Sequence, residues 1–198
     1  MFTFGVMASG GGSNFRALLD HVADGSLDAS CEFLITNSNH SGAALLAREK
    51  GIPVCYISSV THPNPHDYER ALLAVLQQYP VQVVALAGYM KHLPDSFIQA
   101  LPDRILNVHP SLLPKFGGAG YYGIRVHRAV LDTHETTSGP TIHLVNEHYD
   151  QGRILAQAEV PVLETDSPES LAARVLKQEH DLYWRTLRDY AETLPALP

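Results

Sequence analysis

Short apolar runs alternate with helical segments through the first half of the chain, and this alternation constrains the fold more than any other feature. Five runs are typical of buried strands: Phe2 to Ala8, about Glu32 to Thr36, Val54 to Ile57, Val81 to Ala87 and the run that begins at Ile105. Three helical segments lie between them: Asn14 to about Asp24, Ala43 to Glu49 and Asp67 to about Gln78. Repeated strand–helix–strand units predict a three-layer α/β fold, with helices on both faces of a mostly parallel, Rossmann-like sheet.

The last third of the chain predicts an antiparallel extension of that sheet. Thr141 to Val145 and Ile154 to about Val162 have the composition of strands, and the connection from Asn146 to Arg153 is too short for a crossover helix. We therefore expect a C-terminal hairpin. Further helices are expected over Ile124 to Leu131 and from Ser167-Pro168-Glu169 onward, where a capping residue precedes a proline.

Composition excludes several classes of protein. The chain has 198 residues, and we expect one domain over residues 1–198. The formal charge of −7 argues against a nucleic-acid partner, because phosphate neutralisation needs a basic patch. No apolar run approaches the roughly 20 residues that span a bilayer, and no secretory signal is evident. Cys31 and Cys55 lack metal or redox spacing, so we expect reduced thiols in a cytoplasmic protein without a membrane partner.

The stretch from Asn107 to Pro114 concentrates polar residues at the end of the fifth strand. Because strand side chains alternate between faces, Asn107 and His109 point the same way from its carboxyl end. In open α/β sheets ligands bind at that edge. A hydrogen-bonded pair that merely closes a turn is the alternative interpretation.

A glycine cluster, Ser9 to Asn14, follows the first strand and opens the first helix. Strand, glycine loop and helix together aim free N–H groups at an anion. A dinucleotide site would need a third glycine where Phe15 stands and an acid near Asn37. An ATP-type phosphate loop would need Gly-Lys-Ser/Thr, which is absent, so a monophosphate site is the remaining hypothesis.

Two acidic residues and the histidines leave more than one interpretation open. Asp150, in the hairpin connection, has the position of an ordinary turn former. Glu179 falls on the apolar face of the last helix, where a carboxylate needs either an ion-pair partner or a pocket mouth. The chain has 11 histidines but no helical His-x-x-x-His with an acidic third ligand, so we expect no metal.

Several motifs, in order, resemble those of the folate-dependent formyltransferases. They are Ser9-Gly10-Gly11-Gly12-Ser13-Asn14, Leu86-Ala87-Gly88-Tyr89-Met90, Asn107-Val108-His109-Pro110-Ser111-Leu112-Leu113-Pro114, Asp150-Gln151-Gly152 and Gln178-Glu179-His180. The resemblance runs from about residue 3 to about residue 190 and is greater to the glycinamide ribonucleotide (GAR) formyltransferases than to the methionyl-tRNA formyltransferases. It implies transfer of a formyl group from 10-formyltetrahydrofolate, as cosubstrate, to the amine of GAR in purine biosynthesis.

The resemblance also implies roles for particular residues. Asn107 and His109 stabilise the oxyanion and Asp150 assists proton transfer. An ionised Asp150 is expected to raise the pKa of His109. The GAR contacts implied are Gly12, Ser13, Asn14 and Glu179. The folate contacts implied are Met90, Lys91, His92, Leu93, Asn107, Asn146 and Asp150. Only small-molecule partners are expected, for a monomer or weak homodimer.

The chain departs from the family pattern at two places. Lys115 to Gly123 forms a longer, glycine-rich connection, expected to be mobile and able to close over substrate. Pro65 stands where an arginine commonly meets the folate tail, with His62 and His66 nearby. The alternatives are a formyltransferase for a nucleotide-linked amino sugar or methionyl-tRNA, a formyltetrahydrofolate hydrolase, and a non-catalytic phosphate-ligand binding module.

Overall fold

The computed structural model describes residues 1–195, over which strands and helices alternate as predicted. In chain order the elements are β1 (Phe2–Met7), α1 (Ser13–Ala23), β2 (Ala29–Thr36), α2 (Gly42–Glu49), β3 (Val54–Tyr56), α3 (Pro65–Gln78), β4 (Val83–Leu86), α4 (Asp95–Ala100), β5 (Ile105–His109), α5 (Ile124–Asp132), β6 (Thr137–Ser138), β7 (Thr141–Leu144), β8 (Ile154–Gln157), β9 (Val160–Pro161) and α6 (Pro168–Thr193).

A seven-stranded sheet forms the centre of the fold, in the order β3-β2-β1-β4-β5-β7-β8. The first five strands of this order pair in parallel. β7 then pairs antiparallel to β5, and β8 antiparallel to β7. The predicted mostly parallel sheet with an antiparallel C-terminal hairpin is therefore confirmed.

The two faces of the sheet carry separate apolar layers. Helices α1, α2 and α6 cover one face, where Leu106 and Val108 of β5 are buried. Helices α3 and α4 cover the other face, where Ile105 is buried. The alternation of β5 side chains thus sends its apolar residues into both layers, as a parallel strand covered on both sides requires.

The strand order changes direction between β1 and β4, because the chain moves outward from β1 through β2 and β3 and then returns to β4 on the other side. Two hydrogen bonds join the loops that leave β1 and β4. Ser9 N–H donates to Gly88 O at 3.1 Å, and Met90 N–H donates to Ser9 Oγ at 2.9 Å. Crevices at such switch points are where open α/β sheets bind ligands.

The predicted second hairpin strand, Ile154 to Val162, is wrong in its length. β8 ends at Gln157, opposite Thr141, and the next segment pairs with β6 instead. Pro140 explains the break, because it accepts a hydrogen bond from Ala158 N–H but has no N–H to return to the ladder.

Two helices also differ from the expectation. α3 begins at Pro65 rather than Asp67, because Asn64 caps it by accepting from His66 N–H and proline suits the first helical turn. The short α4 was not predicted, since six residues show too little periodicity. α6 begins as expected, with Ser167 as its N-cap.

Among residues 1–195, no helix is long and apolar enough to cross a membrane. Cys31 and Cys55 carry free thiols and are half-buried. The single-domain prediction extends to residues 196–198, which lie outside the described part of the chain, and it stays a prediction.

Candidate active site

His109 ends β5 as a buried imidazole that lies between a serine and an aspartate. Its Nδ1 is 3.0 Å from Ser111 Oγ, and its Nε2 is 3.4 Å from Asp150 Oδ2. The residue is only 5% exposed. The two residues that the family resemblance pairs, His109 and Asp150, therefore meet although they lie far apart in the chain.

The pKa of His109 lies below its ordinary value, contrary to the expectation that Asp150 would raise it. Burial is the largest influence and disfavours the charged imidazolium. Asp150 acts in the expected direction, but its attraction does not offset that desolvation, and the nearby His143 lowers the pKa further. The imidazole therefore rests neutral at neutral pH.

Asp150 lies in the turn between β7 and β8 with a left-handed backbone, φ 56°. Gly118 N–H of the glycine-rich connection donates to its Oδ2 at 2.8 Å. Burial alone would raise the pKa of the carboxyl, but the nearby imidazoles of His143 and His109 and the Gly118 N–H together lower it. Asp150 is thus ionised at neutral pH, beside a neutral imidazole.

His143 is a site residue that sequence reasoning missed. It is Asn107's register partner across β5 and β7, and its Nε2 is 3.0 Å from Asn107 Nδ2. The same Nε2 is 3.6 Å from Asp150 Oδ1, and Nδ1 is 2.9 Å from Leu144 O. Because a carbonyl only accepts, Nδ1 carries a proton, and in the neutral ring Nε2 accepts from the Asn107 amide. Thr141 and His143 are polar residues two positions apart in β7, and this alternation was the sequence signal that could have identified His143.

A pocket with about 480 Å³ of empty space opens beside these side chains. It is lined by Leu86, Tyr89, Lys91, His92, Leu93, Ile98, Asn107, His143, Val145, Asn146, His148, Tyr149 and Asp150. Six of the seven predicted folate contacts thus line one cavity. Tyr149 adds an aromatic wall, with its ring centroid 5.5 Å from that of His92. The mixture of apolar walls and few polar groups suits a flat heterocycle.

Met90, the seventh predicted folate contact, does not line this pocket. Its side chain is 51% exposed, and its backbone joins the β4 loop to Ser9. His109 also lies outside the lining, although it contacts the lining residue Asp150. A second pocket, with about 640 Å³ of empty space, shares Lys91 and His92 with the first and is lined also by Asn37, Ser58, Ser59, His62, Pro63, Pro65 and Tyr68.

The glycine loop places the start of α1 at the same edge of the sheet. Gly12 is the N-cap, in the left-handed region at φ 79°, and no side chain caps this helix end. A Cβ at Gly12 would lie 2.9 Å from Ala43 Cα, so only glycine fits the turn. Ser13 is exposed at the first helical position. Uncapped first-turn N–H groups and the positive end of the helix dipole suit an anion.

Two predicted substrate contacts, Asn14 and Glu179, bind each other. Asn14 Nδ2 donates to Glu179 Oε2 at 2.6 Å, and the glutamate is 7% exposed. Burial raises the pKa of Glu179, and the hydrogen bond from Asn14 opposes that rise. The buried Glu179 carboxyl on the apolar face of α6 is therefore paired with an amide rather than with a cation.

The glycine-rich connection packs against the site. Gly117 is so close to its neighbours that an added Cβ would lie 2.5 Å from Leu113 Cδ2 and 3.3 Å from Asp150 Cβ. With the Gly118 N–H on Asp150, this packing covers the carboxylate from one side. Among the described residues, no group of three or more His, Cys, Asp or Glu side chains is arranged to hold a metal ion.

Comparison with known proteins identifies the family. The formyl transferase family model matches residues 3–187. The chloroplastic phosphoribosylglycinamide formyltransferase of Arabidopsis thaliana is 51% identical over 179 residues, which cover 90% of this chain and 61% of that protein. The phosphoribosylglycinamide formyltransferase of Escherichia coli strain K12 is 33% identical over 178 residues, which cover 90% of this chain and 82% of that protein.

A solved structure agrees with this assignment. Glycinamide ribonucleotide transformylase 1 from Symbiobacterium toebii superposes with a TM-score of 0.90 at 36% identity, covering 97% of this chain and 88% of that one. The chain spans about three fifths of the length of the plant relatives that it matches. The family match covers most of the sequence and includes every residue of the site described above, so the chain belongs to the formyl transferase family.

Proposed function

We propose that this chain transfers a formyl group from 10-formyltetrahydrofolate to the amine of glycinamide ribonucleotide, a step of purine biosynthesis. The observation that carries the proposal is the convergence of Asn107, His109 and Asp150 beside a pocket at the sheet edge that also holds the glycine loop. The relatives named above support GAR as the acceptor.

The mechanism proposed is direct attack by the amine on the formyl carbon. Negative charge then develops on the formyl oxygen, and the Asn107 amide, whose second N–H is not needed by His143, donates to it. One such donor is typically worth roughly 3–4 kcal/mol of transition-state stabilisation. The bond from the formyl carbon to the folate nitrogen then breaks, so the amine loses one proton and the folate nitrogen gains one.

His109 and Asp150 carry that proton in the proposed mechanism. Because the resting imidazole is neutral, it first accepts a proton that leaves the amine and later returns one to the folate nitrogen. The ionised Asp150 carboxylate, 3.4 Å away, stabilises the imidazolium in between. His109 is outside the pocket lining, so the transfer proceeds through water or follows a shift of the covering glycine-rich connection.

In this proposal, the two predicted sets of contact residues hold GAR and the formylfolate. Gly12, Ser13 and Asn14 hold the single phosphate of the ribonucleotide, and Glu179 contacts its polar end. Lys91, His92, Leu93, Asn107, Asn146 and Asp150 hold the folate ring, and Met90 borders it from outside the pocket. No metal is required. We further propose a cytoplasmic single-domain protein, monomeric or weakly dimeric, although the Arabidopsis relative is chloroplastic by name.

The test is a formyl-transfer assay with purified protein and 10-formyltetrahydrofolate, with and without GAR. Wild type should deformylate the folate only when GAR is present, and His109→Ala should lower kcat at least about 100-fold. His40→Ala, at an exposed histidine, is the matched control and should retain wild-type turnover.

Other results would redirect the assignment. Deformylation without any acceptor would make the chain a hydrolase. Turnover with a nucleotide-linked amino sugar but not with GAR would keep the chemistry and change the acceptor. Full activity in His109→Ala would overturn the mechanism, and folate binding without turnover on any acceptor would favour a binding module.

A further inference from the structure

Ser111 lies directly behind His109, on the side away from Asp150. It is fully buried, and its Oγ is 3.0 Å from His109 Nδ1. The same Oγ is 2.7 Å from Lys115 O and 3.4 Å from Phe116 O, at the start of the glycine-rich connection. The hydroxyl therefore joins the imidazole to the backbone of this connection.

The single hydrogen of the Ser111 hydroxyl can have only one main recipient. A carbonyl oxygen accepts and never donates, so the short contact with Lys115 O takes the Oγ–H. Toward His109 the oxygen is then left as an acceptor. The proton on the neutral imidazole must accordingly be on Nδ1, which donates to Oγ.

This arrangement leaves the lone pair of His109 on Nε2, the atom that faces Asp150 Oδ2 at 3.4 Å. Nε2 is buried and makes no hydrogen bond to any atom of the described residues. Two acceptors that face each other in a buried site favour the arrival of a proton between them. Of the other groups around the ring, His143 opposes charging it, whereas the Tyr121 backbone favours the charged form; the charge of His109 in turn lowers the pKa of His127.

We propose that Ser111 is a positioning residue that holds His109 in its Nδ1–H tautomer, so that every proton gained or lost by the imidazole passes through Nε2. The catalytic consequence rests on the proposed formyl transfer, whereas the tautomer itself does not. A proton taken up at Nε2 from the attacking amine is the one returned to the folate nitrogen, and the other proton stays on Nδ1, hydrogen-bonded to Ser111 Oγ, throughout. Because Ser111 Oγ donates to Lys115 O, this preference for the Nδ1–H tautomer depends on the glycine-rich connection being in place.

The tautomer can be measured without substrate, by nitrogen NMR of protein labelled at histidine. The His109 signals are assigned by their loss in His109→Asn. In wild type at high pH, Nδ1 should be the protonated nitrogen of His109. In Ser111→Ala the preference should shift toward Nε2–H, which can donate to Asp150. A wild-type His109 protonated at Nε2 would overturn the proposal, whatever the enzyme does.

Kinetics test the consequence. Ser111→Ala should lower kcat about 10- to 100-fold and leave the KM for both substrates little changed. The residues proposed to bind the substrates are unchanged, whereas the basic nitrogen of His109 moves from Nε2 to Nδ1. Ser138→Ala is the matched control, since Ser138 is equally buried and its Oγ makes no hydrogen bond within the described residues. Ser111→Cys keeps the volume with a weak donor and acceptor, and it should show the same defect if the alanine variant does not fold.

The outcomes separate the two proposals. Unchanged kcat in a folded Ser111 variant whose tautomer has shifted would overturn the positioning role while leaving formyl transfer intact. An equal loss of kcat in Ser138→Ala would show that the loss in Ser111→Ala comes from altered packing, and it would also overturn the positioning role. Failure of wild type to transfer formyl would overturn the proposed function, and the NMR result would still decide the tautomer.

Discussion

Asn107 owes its orientation to a residue on another strand. Its amide has two N–H groups and one oxygen, and nothing in β5 itself decides which of them faces the pocket. His143 decides it, because its Nδ1 proton is committed to Leu144 O and its Nε2 can accept from the Asn107 amide. One amide N–H is thereby committed to His143, which leaves the second N–H as the donor that a developing oxyanion would need.

We predict that His143→Ala lowers kcat/KM about 10- to 100-fold, because a freely rotating amide is a poorly placed donor. His143→Gln, which can present an oxygen to the same amide, should recover part of the loss. Steady-state kinetics with circular dichroism as a check on folding would measure this. If alanine and glutamine variants were equally impaired, orientation of Asn107 would not be the role of His143.

At the scale of elements, a buried hydrogen bond joins the first and last helices. Asn14, in the first turn of α1, and Glu179, in the middle of α6, are 165 residues apart in the chain. Both are buried on the face of the sheet that carries α1, α2 and α6. The start of α1 is where we place the phosphate, so this bond fixes the phosphate site relative to α6 as well as stabilising the helix pair.

Asn14→Ala should lower the free energy of unfolding by about 2 kcal/mol, because it leaves a buried carboxyl without its donor. In a double-mutant cycle with Glu179→Ala, we expect a coupling of about 1–3 kcal/mol, measured by urea unfolding at neutral pH. The exposed pair Asp181 and Arg185 on the same helix is the control, with coupling below about 0.5 kcal/mol. Additive effects of Asn14→Ala and Glu179→Ala would show that the two side chains do not cooperate.

At the scale of the whole molecule, buried histidines make the folded state sensitive to acid. His127, in α5, is 4% exposed, and within residues 1–195 its Nδ1 has no hydrogen-bond partner. Burial, together with the charge of His109, lowers the pKa of His127 to about 4. An unfolded chain binds a proton at this ring below its ordinary pKa of 6.5, whereas the folded protein resists it until about pH 4.

The stability held by neutral His127 is therefore present above about pH 6.5 and is lost as the pH falls toward 4. We expect the loss to be about 2 kcal/mol, after allowance for solvent screening. His127→Gln should flatten the pH dependence of the urea midpoint across that window, and His40→Gln, at an exposed position, should leave it unchanged. A His127→Gln curve parallel to that of wild type would contradict the assignment.

Local patterns were sufficient for much of the architecture. The alternation of apolar runs with helical spacing predicted the parallel sheet, because a strand covered on both faces has to be apolar throughout. The period of two within β5 predicted that Asn107 and His109 lie on the same side of that strand. Each of these features depends on neighbours a few residues away, so the order of residues is enough to predict it.

Other features depended on contacts between distant segments. The register that sets His143 opposite Asn107 arises from how β7 packs beside β5, and no local pattern specifies it. The pKa of His109 reflects a balance between burial and the charge of Asp150, and the depth of burial exists only once the chain has folded. The partner of Glu179 was likewise decided by the docking of α6 on α1, because desolvation and hydrogen bonding act through space and not along the chain.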